Sequence, residues 1–318
     1  MKLSSKFKSV MAVLLSAVML STFVACGDKN KDKNEADLTP NVETVDKEDK
    51  APKIEISKKA ADLKKKNNDV IGWLKIPDTT IDEVVCYSPN NQKYYRDNLD
   101  GKWDYLGTYF IDMDNVGTKA GTRDKLDKHT VIYGHSVYDG VDRPAYFKKN
   151  NVPASIVKGV KEGGIDYKDG EKFAQLFKYT DREFAKKHPY IYFSTDKEEM
   201  VWEVFATYYS NIATGFNRWN AYETMVTEDG MMNVVKDSMA KSLHDFHVDV
   251  KKDDKIVTLS TCSYIEGPNN HNIRFHVAAK LVDKNEKLKK EANVTENKNK
   301  VNYAQKVKLT PTKQMVRK

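Results

Sequence analysis

A thiol, an imidazole and a guanidinium stand out because each lies at the end of a short apolar run. Cys262 closes Lys255-Ile-Val-Thr-Leu-Ser-Thr-Cys262, Arg274 opens Arg274-Phe-His-Val-Ala-Ala-Lys-Leu281, and His135 follows Thr130-Val-Ile-Tyr-Gly134. A cysteine attacks a carbonyl as its thiolate and needs a base or a cation beside it to reach that form. An imidazolium at His135 would favour the thiolate and then donate its proton to a departing amine. Arg274 is always charged and offers several donors, which suits an oxyanion or a substrate clamp. A thioester keeps enough acyl-transfer potential to be taken up by a second amine. The three residues together read as a cysteine acyl-transfer enzyme.

The elements that must position them are mostly strands. Ile256, Val257 and Leu259 mark one buried strand, and Phe275, Val277, Ala279 and Leu281 mark the next. Upstream, strands are predicted over 70–76 and 81–87, joined by a turn at Pro77-Asp-Thr-Thr80, and over 107–112. Ser57 is placed to cap a helix running to about residue 67. Thr180-Asp-Arg-Glu183 has the form of a capping box and predicts a short helix ending before Pro189. Strands over 190–194 and 201–209 follow, and then a Met-rich helical stripe within 220–243 whose apolar side faces the core.

Thr258-Leu-Ser-Thr-Cys262 resembles the Thr-Leu-x-Thr-Cys signature of the sortases, with Arg274 opening the following strand as that family's arginine does. Asn68-Asp-Val-Ile-Gly-Trp-Leu-Lys-Ile76, Asn91-Gln-Lys-Tyr-Tyr95, Gly107-Thr-Tyr-Phe-Ile-Asp112 and Phe184-Ala-Lys-Lys-His-Pro-Tyr-Ile-Tyr-Phe193 are similar, in order, to class B sortase segments. The resemblance spans about residues 60–283. It implies a mainly β fold, a sortase-type antiparallel β-barrel with an N-terminal helix and a long helix inserted between two late strands. It further implies catalytic roles for His135, Cys262 and Arg274. The activity would be cleavage of a C-terminal sorting motif of a secreted protein after Thr, by a transpeptidase of the cell surface. The acyl chain would pass to an amine of peptidoglycan or its precursor, a pilin lysine being another acceptor of the same chemistry. No metal or organic cofactor is needed. Thr261, Ser263 and Tyr264 flank the nucleophile and are expected to shape the substrate groove. Two departures concern the groove's edges: about 30 residues, 141–170, are inserted after His135, and the 12-residue step from Cys262 to Arg274 is long for the class.

The chain carries 53 Lys and Arg against 46 Asp and Glu, a formal net charge of +7. Residues 285–318 hold ten of the basic residues and three Glu, so the entire excess lies in that segment. A nucleic-acid-binding role is disfavoured, because the body is neutral and the basic segment lacks interleaved aromatics apart from Tyr303. It is expected to be a basic, flexible tail following a catalytic domain over 54–284. Lys2, Lys6 and Lys8 precede an apolar run over 10–24, too short for the ~20 residues of a spanning helix and suited to a signal segment. Residues 1–26 are therefore expected to direct export. They would stay as a signal anchor or be processed at Cys26, whose lipidation would tether the chain. The Lys/Asp/Asn/Glu-rich linker over 27–53 is expected to be disordered and to hold the domain off the extracytoplasmic face of the membrane.

Three cysteines do not make a disulfide framework. Cys86, in Ile81-Asp-Glu-Val-Val-Cys-Tyr87, reads as an inert core thiol. His244 and His247 stand near Asp245 and Asp249 without a third ligand group, which favours a polar helix end over a metal site. Two other functions fit the same sequence: a hydrolase on this fold with water as acceptor, and a non-catalytic surface-binding lipoprotein. A binding module has no use for all of His135, Cys262 and Arg274.

Overall fold

Runs rich in Val, Ile, Tyr and Phe form the strands, several of them buried on both faces, and a closed barrel covers one face of each together. The computed structural model describes residues 54–137, 160–162, 165–167, 170–213, 223–266 and 270–312. The expected signal segment, Cys26, the linker and most of the 141–170 insertion lie outside these. In chain order the strands are β1 (Val70–Lys75), β2 (Asp82–Cys86), β3 (Tyr109–Ile111), β4 (His129–Tyr133), β5 (Ser136–Val137), β6 (Val160–Glu162) and β7 (Ile165–Tyr167). They continue with β8 (Glu171–Lys172), β9 (Tyr190–Thr195), β10 (Trp202–Asn211), β11 (His244–Asp245), β12 (Ile256–Cys262), β13 (Ile273–Leu281) and β14 (Thr295–Glu296). Eight close the barrel in the order β1-β2-β3-β4-β12-β13-β10-β9. The β2–β3 and β4–β12 pairs are parallel and the other barrel pairs antiparallel.

The barrel interior is apolar: Leu74, Val85, Ile111, Ile132, Phe193, Leu259, Phe275 and Val277 are all buried in one cluster. A 3-10 helix, Phe173–Thr180, adds Phe173, Leu176, Phe177 and Tyr179 to the same cluster. Fully burying an aromatic or aliphatic side chain of this kind contributes about 1.5–3 kcal/mol, which fixes this segment against the barrel. The helix Glu228–Lys241, between β10 and β11, packs Met231, Val234 and Val235 against Phe205, Tyr208, Ile256 and Ala278 on the barrel's outer face.

Local differences from the sequence reading have clear causes. Ser57 is the first helical residue and not the cap. Glu199, remote in sequence, accepts from the backbone N–H of Ile56 at 2.8 Å and of Ser57 at 2.7 Å, placing a carboxylate at the helix N-terminus. Asp181, one residue after the predicted Thr180, caps the helix Arg182–Lys187 by accepting from Glu183 and Phe184. Thr180 still belongs to the preceding 3-10 helix, and its hydroxyl donates to the Phe177 carbonyl. The basic segment expected to be flexible is tied to the body at points as far as Thr310. Val294 is buried in the main cluster, β14 pairs with β11, and the Val301 N–H donates to the Ala240 carbonyl at 2.8 Å. The reading from net charge missed this because the anchors are single apolar residues and backbone groups.

Two histidines are buried away from the cleft. His129 donates from Nδ1 to the Glu223 carbonyl and accepts at Nε2 from the Thr258 hydroxyl, while burial lowers its pKa to about 4. His276 contacts the Ser210 hydroxyl at 2.7 Å, stacks on Tyr208, and is held well below the ordinary imidazole value by burial. Both are neutral in the fold, so the unfolded chain binds more protons once the pH drops below about 6.5. Stability is full above that pH and declines toward pH 4. Urea midpoints measured at about pH 7, 5.5 and 4.5 should fall in that order, and His129→Gln should flatten the decline. A midpoint independent of pH across this window would contradict the assignment.

Candidate active site

The three reactive residues meet because of how β12 pairs with its neighbours. β12 runs parallel to β4, with Ser260 opposite Tyr133, so the residues after Tyr133 lie beside Thr261 and Cys262. On its other edge β12 is antiparallel to β13, and Cys262 lies directly opposite Arg274. His135, Cys262 and Arg274 all line one cleft of about 700 Å³ at this end of the barrel.

The turn carrying His135 is tied to β12 at three points. The Gly134 N–H donates to the Ser260 carbonyl at 3.3 Å, the Thr261 hydroxyl to the Gly134 carbonyl at 2.8 Å, and the Ser136 hydroxyl to the Cys262 carbonyl at 2.7 Å. Gly134 permits this closeness, since a Cβ there would lie 2.7 Å from ring atoms of Phe173 and Tyr109. The insertion that follows is closed at its base by β5 and β8, with Ser136 opposite Lys172. The Phe173 N–H then donates to the His135 carbonyl at 2.8 Å. About 30 residues thus leave and rejoin the barrel beside His135 without unseating it. Within the insertion, β6 and β7 form a hairpin.

The electrostatics at His135 differ from the sequence expectation. Nε2 lies 2.7 Å from the Tyr95 carbonyl, and a carbonyl only accepts, so Nε2 carries the proton. Burial, reinforced by the Arg96 guanidinium, lowers the imidazole pKa to about 4. The resting ring is therefore neutral, with Nδ1 as its basic nitrogen, and not the imidazolium the sequence suggested. Arg96 is itself held between the Tyr95 and Tyr105 rings, 5.0 and 4.5 Å from their centroids. Arg274 Nη1 donates to the carbonyls of His271 at 2.7 Å and Ile273 at 3.0 Å, which braces the guanidinium at the cleft edge.

Of the flanking residues, Thr261 lines the cleft, although its hydroxyl is committed to Gly134. Ser263 and Tyr264 are not among the described lining residues. Ser263 is fully buried, and Tyr264 packs against the main cluster and edge-on to His271. β12 ends at Cys262, immediately before these two residues. The opposite wall is a polar network the sequence did not single out. Asp112 accepts from Asn91 at 2.9 Å and from Tyr133 at 2.8 Å, and the Met113 N–H donates to Asn91 Oδ1 at 2.8 Å. Among the described residues no cluster suited to a metal ion occurs; His244 Nε2 is 3.1 Å from the Tyr179 carbonyl instead.

No family model matches the chain. Sortase B of Listeria monocytogenes is 29% identical over 265 residues, covering 81% of this chain and 92% of that protein. Sortase B of Staphylococcus aureus is 24% identical over 225 residues, covering 69% and 73%. The fold is similar to a Staphylococcus aureus sortase B–substrate complex, with a TM-score of 0.53 and 21% identity over 72% of this chain and 87% of that one. It is also similar to Clostridium perfringens sortase B, with a TM-score of 0.51 and 22% identity over 70% and 98%.

Neither of the two described cysteines is in a disulfide, and the two differ sharply in setting. Cys86 has no exposed surface and burial pushes its thiol up to about 12, whereas Cys262 is partly exposed at the cleft. Iodoacetamide on the folded protein at neutral pH should alkylate Cys262 at least tenfold faster than Cys86. Peptide mapping of the labelled protein reads this directly, and equal slow labelling of both would contradict it.

Proposed function

The chain is a homologue of sortase B, a cysteine transpeptidase, and on that premise we propose that Cys262 is its nucleophile, His135 its acid–base and Arg274 its oxyanion or substrate donor. The observation that carries this is the opposed Cys262–Arg274 pair with His135 on the parallel neighbour, all on one cleft. Cys262 Sγ attacks the carbonyl carbon of the scissile amide as His135 Nδ1 takes the thiol proton. The same proton then goes to the leaving amine as the C–N bond breaks, and a thioester remains. Arg274 stabilises charge on the carbonyl oxygen. An acceptor amine attacks the thioester, gives its proton to Nδ1, and Cys262 leaves as thiolate. Tyr95 holds the tautomer that makes Nδ1 the basic atom.

The substrate in this reading is the C-terminal sorting motif of a secreted protein, of the Leu-Pro-x-Thr-Gly or Asn-Pro-x-Thr type, cut after Thr. The acceptor is an amine of peptidoglycan or its precursor. The enzyme works at the extracytoplasmic face of the membrane, tethered through its N-terminal segment by a lipid on Cys26 or by a signal anchor. Among the described residues no helix is long and apolar enough to cross a membrane, and the apolar run over 10–24 lies outside them.

A peptide panel spanning these motifs, offered with an amine and read by mass spectrometry, tests the reading. Amine-joined product cut after Thr should form with wild type and vanish with Cys262→Ala. His135→Ala should lower turnover by about 10²–10⁴-fold. Cleavage without joining would make the protein a hydrolase, and product that survives Cys262→Ala would overturn the assignment.

A further inference from the structure

We propose that the C-terminal segment is a brace for the loop between Cys262 and Arg274, with Tyr303 as the positioning residue. The proposal rests on the transpeptidase reading and adds the C-terminal segment to the parts of the chain that bear on the site. The loop over 263–272 joins the two strands that present the nucleophile and the guanidinium. Its base is closed by the Ser263 N–H donating to the Ile273 carbonyl at 3.0 Å. Farther out, one carboxylate links the loop to the tail: Glu266 accepts from the Tyr303 hydroxyl at Oε1 and from the Asn270 side-chain amide at Oε2. Asn270 Oδ1 in turn accepts from the Asn272 N–H at 3.0 Å. The next carbonyls, of His271 and Ile273, are the ones that hold Arg274 Nη1. A short chain of hydrogen bonds thus runs from the tail to the backbone that orients the guanidinium.

Tyr303 is fixed well enough to act as an anchor. Its ring lies 6.0 Å from that of Tyr209, which lies 5.0 Å from Phe275, the neighbour of Arg274. Burial and the Glu266 carboxylate raise the phenol pKa to about 12, so the hydroxyl keeps its proton and remains the donor. The tail is tied down on both sides of this residue. Before it, Asn297 Nδ2 donates to the carbonyls of Met239 and Ser242 at the C-terminus of the helix Glu228–Lys241. After it, the Asn233 side chain pairs with both backbone groups of Thr310, at 2.7 and 3.0 Å. An outside contact on Glu266, passed on to Asn270, limits local opening of the backbone that leads into β13. The cost of losing it would appear at Arg274, the residue whose donors depend on the loop's carbonyls.

Tyr303→Phe keeps the ring packing and removes one oxygen; Glu266→Gln weakens the bridge from the loop side. Each should lower kcat on a cleaved peptide by about five- to tenfold, with KM within about twofold, because the guanidinium serves the transition state. The double variant should be no slower than either single one, as both break the same link. Melting temperatures should stay close to wild type. Hydrogen exchange at residues 270–274 should quicken in Tyr303→Phe, and this readout needs no substrate. Unchanged exchange and unchanged kcat, or effects that multiply in the double variant, would overturn the brace. A wild-type protein that cleaves no peptide would count against the transpeptidase reading, while exchange would still decide the role of Tyr303.

Discussion

Everything at the cleft depends on the two different pairings of β12. A parallel neighbour leaves its end of the barrel in the same direction as β12, and an antiparallel neighbour enters there. β4 on one edge therefore delivers His135 beside Cys262, and β13 on the other begins at Arg274 opposite it. If either pairing ran the other way, one of the three side chains would stand at the far end of the barrel. The hydrogen bonds among Gly134, Ser136, Ser260, Thr261 and Cys262 then set the distance between the two strand exits. Their donors and acceptors are backbone groups and small hydroxyls, which are short and leave little slack.

The setting, more than residue type, separates the reactive groups from the inert ones. Cys86 and Cys262 carry the same thiol, but one is sealed between Tyr94 and apolar neighbours while the other borders a cleft. His129, His135 and His276 are all kept neutral by burial. Of these only His135 lines the cleft, with the Tyr95 carbonyl fixing its protonated nitrogen.

The strands were legible from apolar runs, and the meeting of His135, Cys262 and Arg274 at one cleft from their places where those runs stop. The barrel order was not, since only resemblance suggested which strands pair. Long-range capping also escaped the sequence, as with Glu199 closing the helix at Ser57. The Tyr95 carbonyl left no mark at all, because every residue has a carbonyl and only the fold aims it. Ser263 and Tyr264 misled for a related reason: adjacency to the nucleophile does not survive the end of a strand. The tail was misread through its charge. Ten basic residues suggested a solvated chain, whereas Asn297, Val301, Tyr303 and Thr310 dock it through contacts that composition does not reveal.

Acyl transfer through Cys262 is tested most directly by the masses of the enzyme's own digest peptides, taken during reaction. Wild-type protein is mixed with a cleaved sorting-motif peptide in the absence of amine, quenched in acid and mapped by digestion. An adduct of the mass of the acyl fragment is expected on the peptide containing Cys262, discharged when an amine is added. Product released without any such adduct, or an adduct at another residue, would contradict it.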